Sequence, residues 1–269
     1  MSSESPAHPH DQARLDAMHL AYTEYFQGKL GPAPLEEMSP NFKKILDLGC
    51  GSGAWAAQAA TQFPDAEIVA VDRAKLPDRK FPSNMKFQIA DLTKELEFDL
   101  DSFDVVHTRN VLLHVLNAPA VLLRASHLVK PGGLLIIEEP DLVSFAETGG
   151  PATRAFMYKI KELLAGIDAD AQIGSKVEGL IRAFGDFEDV NLKMAALPLG
   201  GNGPDEALNR LGLGMKQTIK TASENLAKVY SDKGLTVEMT RAYNEEQDRP
   251  DNRAAMDYYF VWARRRATA

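Results

Sequence analysis

Ile45, Leu46 and Leu48 form a short apolar run that ends in glycines, which predicts a strand meeting a tight turn. Helix formers without a breaker fill 54–63, and Pro64 stops them. Apolar runs at 68–72, 86–89 and 103–107 predict three more strands. Asn117 with Pro119 close behind predicts a capped helix start. Val121, Leu122, Ala125, Leu128 and Val129 then share one face of that helix. Pro131, Gly132 and Gly133 predict a turn, and 134–138 a fifth strand. The strand runs are apolar throughout, as suits strands covered on both faces. Their alternation with helical signals predicts an α/β fold, an open and mostly parallel sheet with helices on each side.

The second half of the chain changes character. Phe156, Ile160, Leu163 and Leu164 mark one amphipathic helix. Ser175 is placed to cap another, with Val177, Leu180, Ile181 and Phe184 inward and Gly185 as its stop. Val190, Leu192 and Met194 alternate as inward residues of a half-buried strand. Apolar steps of three and four from Leu208 to Val229 predict a long helix weakened near Gly212 and Gly214. A last strand is expected at 258–263. The organisation is therefore a tail and helix over 1–40, a sheet core over 41–145, and a helical lobe with the last two strands over 146–269. Within the first part, residues 1–10 read as a frayed polar tail without the apolar core of a signal peptide. Leu15, Met18, Tyr22, Tyr25 and Phe26 share one face of a helix over 11–27, too apolar to stay in water. It is expected to dock as a lid over the carboxyl ends of the strands, with Tyr22 and His19 facing the ligand.

Composition is that of a globular protein, 45% hydrophobic and 25% charged. The formal net charge of -8 disfavours a general nucleic-acid partner. The lone cysteine, Cys50, permits no disulfide within the chain, and a reducing, cytoplasmic setting is the simple expectation. Apolar runs are too short for a membrane span. The arginines at 264–266 read as a solvated chain end.

Candidate chemistry gathers at the glycine turn, 47–53. Gly49, Gly51 and Gly53 let backbone approach a ligand, and the loose pattern also admits a nicotinamide cofactor. Asp72 ends the second strand, where a carboxylate can accept both ribose hydroxyls. Asp91 follows the third, placed to accept from an adenine amino group, with the Leu92 N–H facing a ring nitrogen. Asp47 precedes the glycines and can help hold an ammonium. A pyrophosphate is disfavoured there, because two anions would share one turn. Ribose, adenine and ammonium are parts of S-adenosylmethionine. Glu138, Glu139 and Asp141 read as a solvated rim, with Pro140 as a turn residue, and no metal site is expected.

Together, 47–53, Asp72, 90–92, 103–106 and 127–133 resemble the motifs of class I S-adenosylmethionine-dependent methyltransferases. The resemblance implies a Rossmann-like, seven-stranded sheet whose last strand is antiparallel. It implies a cofactor set of Tyr22, Asp47, Gly49, Cys50, Gly51, Gly53, Asp72, Arg73, Asp91, Leu92, Arg109 and Asn110. Residues 12–19 resemble the lead-in of the fungal LaeA-like secondary-metabolism methyltransferases. After the fourth strand the chain reads Thr108, Arg109, Asn110 and Val111, which lacks the motifs of base-amine, arginine and magnesium-assisted catechol enzymes. His114 is the candidate general base. His107 is expected to point into the sheet packing. Phe156, Met157, Met194, Leu208, Leu211 and Met215 are candidates to line an apolar acceptor pocket. The leading reading is methylation of a small, partly apolar metabolite at oxygen by a monomer or homodimer. A regulatory protein that binds the cofactor and acts through partner proteins, and a nicotinamide oxidoreductase, are the alternatives.

Overall fold

The computed structural model describes residues 9–38 and 41–267. Helix α1 spans Pro9–Tyr25, and a single turn, α2, spans Leu35–Met38. Then come β1 (Lys44–Leu48), α3 (Ala54–Gln62), β2 (Glu67–Asp72), β3 (Met85–Ile89) and β4 (Phe103–Arg109). A 3-10 turn, Leu112–His114, leads to α4 (Ala118–His127) and β5 (Val129–Pro140). The remainder is α5 (Ser144–Thr148), α6 (Pro151–Ala165), α7 (Ile173–Phe184), β6 (Phe187–Pro198), α8 (Glu206–Val229), α9 (Val237–Gln247) and β7 (Ala255–Arg265).

The described residues form a seven-stranded sheet in the order β3-β2-β1-β4-β5-β7-β6. β7 runs antiparallel to both β5 and β6, and the other pairs are parallel. Chain order reverses between β1 and β4, so their carboxyl ends flank the crevice where open α/β sheets bind ligands. Ile45, Ile68, Ala70, Val105 and Ile136 pack beneath α3 with Trp55, Ala56 and Ala59. Leu46, Val69, Val71, Val106, Leu135 and Ile137 pack on the opposite face with residues of α4 and α7. A separate core joins α1, α6, α8 and α9 to β7 through Tyr22, Phe156, Leu211, Tyr243 and Phe260.

Several expectations are corrected. Residues 131–133 are a bulge inside β5, not a turn before it, and Val129 belongs to this strand. Gly132 has φ 80°, and a Cβ on Gly133 would come within 2.8 Å of the Asp104 carbonyl. Ser175 lies inside α7 and donates to the Gln172 carbonyl; Gln172 occupies the cap position. On β6, Val190 packs against the sheet core as expected, but Leu192 and Met194 are exposed, while Ala195 and Leu197, on the face opposite theirs, are buried in the lobe core. α8 runs unbroken through Gly212 and Gly214. A Cβ would meet the Pro198 carbonyl oxygen at 2.3 Å from Gly212 and the Met18 sulfur at 2.8 Å from Gly214, so the glycines permit close helix packing. Glu138, Glu139 and Asp141 are buried, not a rim, because β7 covers β5 as far as Pro140. Arg265 is not a free chain end: its guanidinium bonds Asp101 and the Val129 carbonyl. Of the residues expected as a frayed tail over 1–10, Pro9 and His10 belong to α1, and residues 1–8 lie outside the described residues.

Candidate functional site

The turn from β1 to α3 needs glycine at three positions. Gly49, Gly51 and Gly53 have φ of 72°, 57° and 76°, conformations that resist side chains. A Cβ on Gly49 would come within 2.4 Å of Val111, and one on Gly51 within 3.2 Å of Leu15. Gly49 and Cys50 donate their N–H groups to the Val71 carbonyl, which fastens the turn to β2. Asp72 accepts from the Gly51 N–H through Oδ2 and from the Ala74 N–H through Oδ1, each at 2.9 Å. Each oxygen keeps a lone pair for a further donor.

A polar row crosses the sheet on its α3 face. Asp47 of β1 stands opposite His107 of β4 in the parallel register. His107 Nδ1 donates to Asp47 Oδ1 at 2.8 Å, and its ring stacks on Trp55 at 3.7 Å between centroids. His107 Nε2 lies 4.0 Å from Glu138 Oε2, and Glu138 is paired with Arg109. Burial pushes the His107 pKa down, but Asp47 and Glu138 outweigh it and the net shift is upward. Burial likewise raises Glu138, yet Arg109 and His107 leave its carboxyl below the usual value. Arg109 also donates to the Leu30 carbonyl at 2.7 Å and lies over the Tyr22 ring. Its guanidinium is thus committed within the protein, so the structure gives Arg109 a bracing position between β5 and α1.

Helix α1 lies over this end of the sheet. Ser52 donates to Asp16 Oδ1 at 2.6 Å, and Arg79 donates to Asp16 and, at 2.7 Å, to the Ser52 carbonyl. One turn on, His19 Nε2 lies 2.8 Å from Gln58 Oε1 of α3. Tyr22 is buried, and its hydroxyl accepts from Asn110 Nδ2 at 3.2 Å. Asn110 in turn accepts from the Tyr258 hydroxyl at 2.9 Å. Asn110 has φ 56°, a conformation that asparagine tolerates better than most residues. Sequence reasoning missed Asp16, Gln58, Arg79 and Tyr258. Each looks like an ordinary surface or core residue until the chain folds.

The other expected site residues are less closely gathered. Asp91 is exposed and folds its carboxylate onto the Thr93 N–H and hydroxyl at 2.9 and 2.7 Å. Those two bonds hold its pKa below the usual carboxylate value. Leu92 packs into the core, and Arg73 is exposed. Burial, then Asp47 and Asp72, push the Cys50 thiol up, so it is no thiolate nucleophile. His114 is open to solvent in the turn after β4, without a side-chain hydrogen bond among the described residues. Desolvation where its ring meets the protein, followed by Arg73 and Arg14, holds its pKa below the ordinary histidine value. Phe156, Met157, Leu211 and Met215 are buried in the lobe core and Leu208 packs against it, while Met194 is exposed. These residues do not assemble into one pocket wall. Glu139 Oε1 accepts from the Val111 and Leu112 N–H groups at 2.7 and 2.8 Å, which anchors the His114 turn.

Residues 22–166 match the family model described as a methyltransferase domain. Methyltransferase str3 of Strobilurus tenacellus is 37% identical over 211 residues, 78% of this chain and 75% of that protein. The secondary metabolism regulator laeA of Coprinopsis cinerea is 28% identical over 210 residues, 72% of this chain and 52% of the regulator. Among solved structures, Haemonchus contortus phosphoethanolamine N-methyltransferase 2 with phosphomonomethylethanolamine and S-adenosylhomocysteine superposes with TM-score 0.51 at 18% identity. That alignment covers 93% of this chain and 57% of the other, and it speaks to the fold. The site fits S-adenosylmethionine. Asp47 is buried, and its Oδ2 has no hydrogen-bond partner among the described residues, an acceptor suited to the ammonium of the cofactor.

Proposed function

Because the chain belongs to the S-adenosylmethionine-dependent methyltransferases, we propose that it methylates a small, partly apolar metabolite at oxygen. When bound, the cofactor supplies a methyl group on a cationic sulfur, ready for in-line displacement. What remains for the protein is to hold, orient and keep out water. In this reading the glycine turn admits the cofactor, Asp72 takes the ribose, and Asp91 with the Leu92 N–H takes the adenine. Asp47 takes the ammonium. The observation that carries a small acceptor is the roof: α1 is fastened to the glycine turn through Asp16 and Ser52 and to α8 through Arg14 and Thr218. A polymer has little access beneath such a cover. His114 supports oxygen as the acceptor atom, because its lowered pKa leaves a neutral imidazole at pH 7 to take the proton of an enol or phenol.

Purified protein with S-adenosylmethionine and a panel of phenols, enols and carboxylic acids, followed by mass spectrometry, tests the proposal. Turnover at oxygen is expected, and His114→Ala is expected to lower it about 10²-fold with S-adenosylhomocysteine affinity little changed. Transfer to nitrogen alone, or equal rates in mutant and parent, would overturn it. A second reading, a cofactor-binding regulator that acts through partner proteins, draws on the similarity to the laeA protein. It predicts tight S-adenosylhomocysteine binding with no turnover of any small acceptor. A cytoplasmic monomer or homodimer without nucleic-acid partners completes the proposal, in keeping with net charge -8. No helix among the described residues is long and apolar enough to cross a membrane.

A further inference from the structure

Two buried acceptors at the boundary of roof helix and glycine turn have no hydrogen-bond partner among the described residues: Asp47 Oδ2 and His19 Nδ1. The surroundings of His19 settle which nitrogen carries its proton. Gln58 donates its amide nitrogen to the Gly28 carbonyl at 2.9 Å, so its Oε1 is the atom turned to His19. His19 Nε2, 2.8 Å from that oxygen, is therefore the protonated nitrogen, and Nδ1 is left with a bare lone pair. The ring stays neutral near pH 7, because burial, then the Arg109 charge, hold its pKa to about 4. Asp47 lies within electrostatic reach of the same ring.

A buried acceptor without a donor is costly, and two of them within electrostatic reach of one another call for a group with several N–H bonds. An ammonium supplies three. Asp47 offers it charge, and a neutral His19 offers a second acceptor without repulsion. Other unpartnered oxygens nearby, on Glu138 and Glu139, belong to carboxylates already engaged by Arg109 and by the Val111 and Leu112 N–H groups.

We propose that His19 Nδ1 and Asp47 Oδ2 together seat the ammonium of the methyl donor, with His19 as the roof-side contact. This rests on the cofactor assignment above. It makes closure of α1 sense the amino group of the ligand, since His19 reaches the seat only when the helix is docked.

Calorimetry with S-adenosylhomocysteine and with its analogue lacking only the amino group tests it on full-length protein. His19→Gln keeps a donor for Gln58 but removes the Nδ1 acceptor. It is expected to weaken S-adenosylhomocysteine roughly ten- to a hundredfold, the range for losing a hydrogen bond to a charged group. The des-amino analogue should bind parent and mutant within about twofold, which also reports that the mutant is folded. His19→Asn, which places an oxygen near the Nδ1 position, should retain more S-adenosylhomocysteine affinity than His19→Gln. Equal losses for both ligands would reduce His19 to a packing residue, and no loss for either would remove it from the seat. A parent protein that binds neither ligand would instead overturn the cofactor-site assignment.

Discussion

Asp72 illustrates how one carboxylate can serve both the fold and the ligand. It holds the Gly51 and Ala74 N–H groups while each oxygen keeps a lone pair for a further donor. Asp72→Ala should weaken S-adenosylhomocysteine binding by about 1.5–3 kcal/mol, the scale for charge-assisted hydrogen bonds. Unchanged affinity in calorimetry would mean the ribose lies elsewhere. Glu139 makes a pH prediction. Burial raises its pKa from 4.5 to about 7, against the pull of the N–H groups it accepts from. Between those two values the folded protein holds more protons than the unfolded chain. The contribution of Glu139 to stability is therefore present below about pH 4.5 and is lost as pH rises through about 7. His19 works in the other sense: its pKa falls from 6.5 to about 4, so its term improves with rising pH across that interval. Glu139→Gln isolates the first effect. Urea unfolding should show the parent's advantage over this mutant shrinking between pH 5 and pH 8. A constant gap would show that the carboxyl does not titrate there.

At the scale of elements, α1 is held by a clasp at one end and by core packing at the other. Asp16 and Arg79 are each about a third exposed, so their pair is worth no more than about 1 kcal/mol. Asp16→Asn should therefore raise hydrogen exchange in α1 while leaving β1 and β4 protected, with a modest loss of S-adenosylhomocysteine affinity. Equal protection of α1 in parent and mutant would show that the Asp16 clasp adds nothing to the packing of Met18, Tyr22 and Phe26 and the bonds of Arg14 and His19. Deleting the helix outright is a coarser probe, because it would uncover Tyr258 and Phe260. β6 teaches a related lesson. Alternation correctly marked a strand, but which face is inward depended on where the lobe settled, and Leu192 and Met194 ended outside.

For the whole molecule, Phe260 is a shared anchor of the sheet, the roof and the lobe. Its ring lies 6.4 Å or less from those of Tyr22, Tyr25, Phe26 and Tyr258. Phe260→Ala should cost about 3–5 kcal/mol, and unfolding should remain a single transition, because β7 places Phe260 in the lobe core and Val261 and Ala263 in the sheet core, so the two are joined through one strand. Two resolved transitions by circular dichroism and tryptophan fluorescence would show that lobe and sheet are separable. Much of this architecture was legible in the chain itself. Apolar strand runs, helix breakers and the glycines at 49, 51 and 53 act locally, so they determined the α/β sheet, the turn, and the strand ends that carry Asp47 and Asp72. The tertiary structure decided the rest. His107 meets Asp47 across 60 positions and Arg79 meets Asp16 across 63. Such pairs depend on strand register and helix docking, which no local pattern encodes. The acids at 138, 139 and 141 looked like a solvated rim because a sequence shows charge but not cover. Only the pairing of β7 with β5 buried them, and only there did Arg109 and the N–H groups of the His114 turn become their partners.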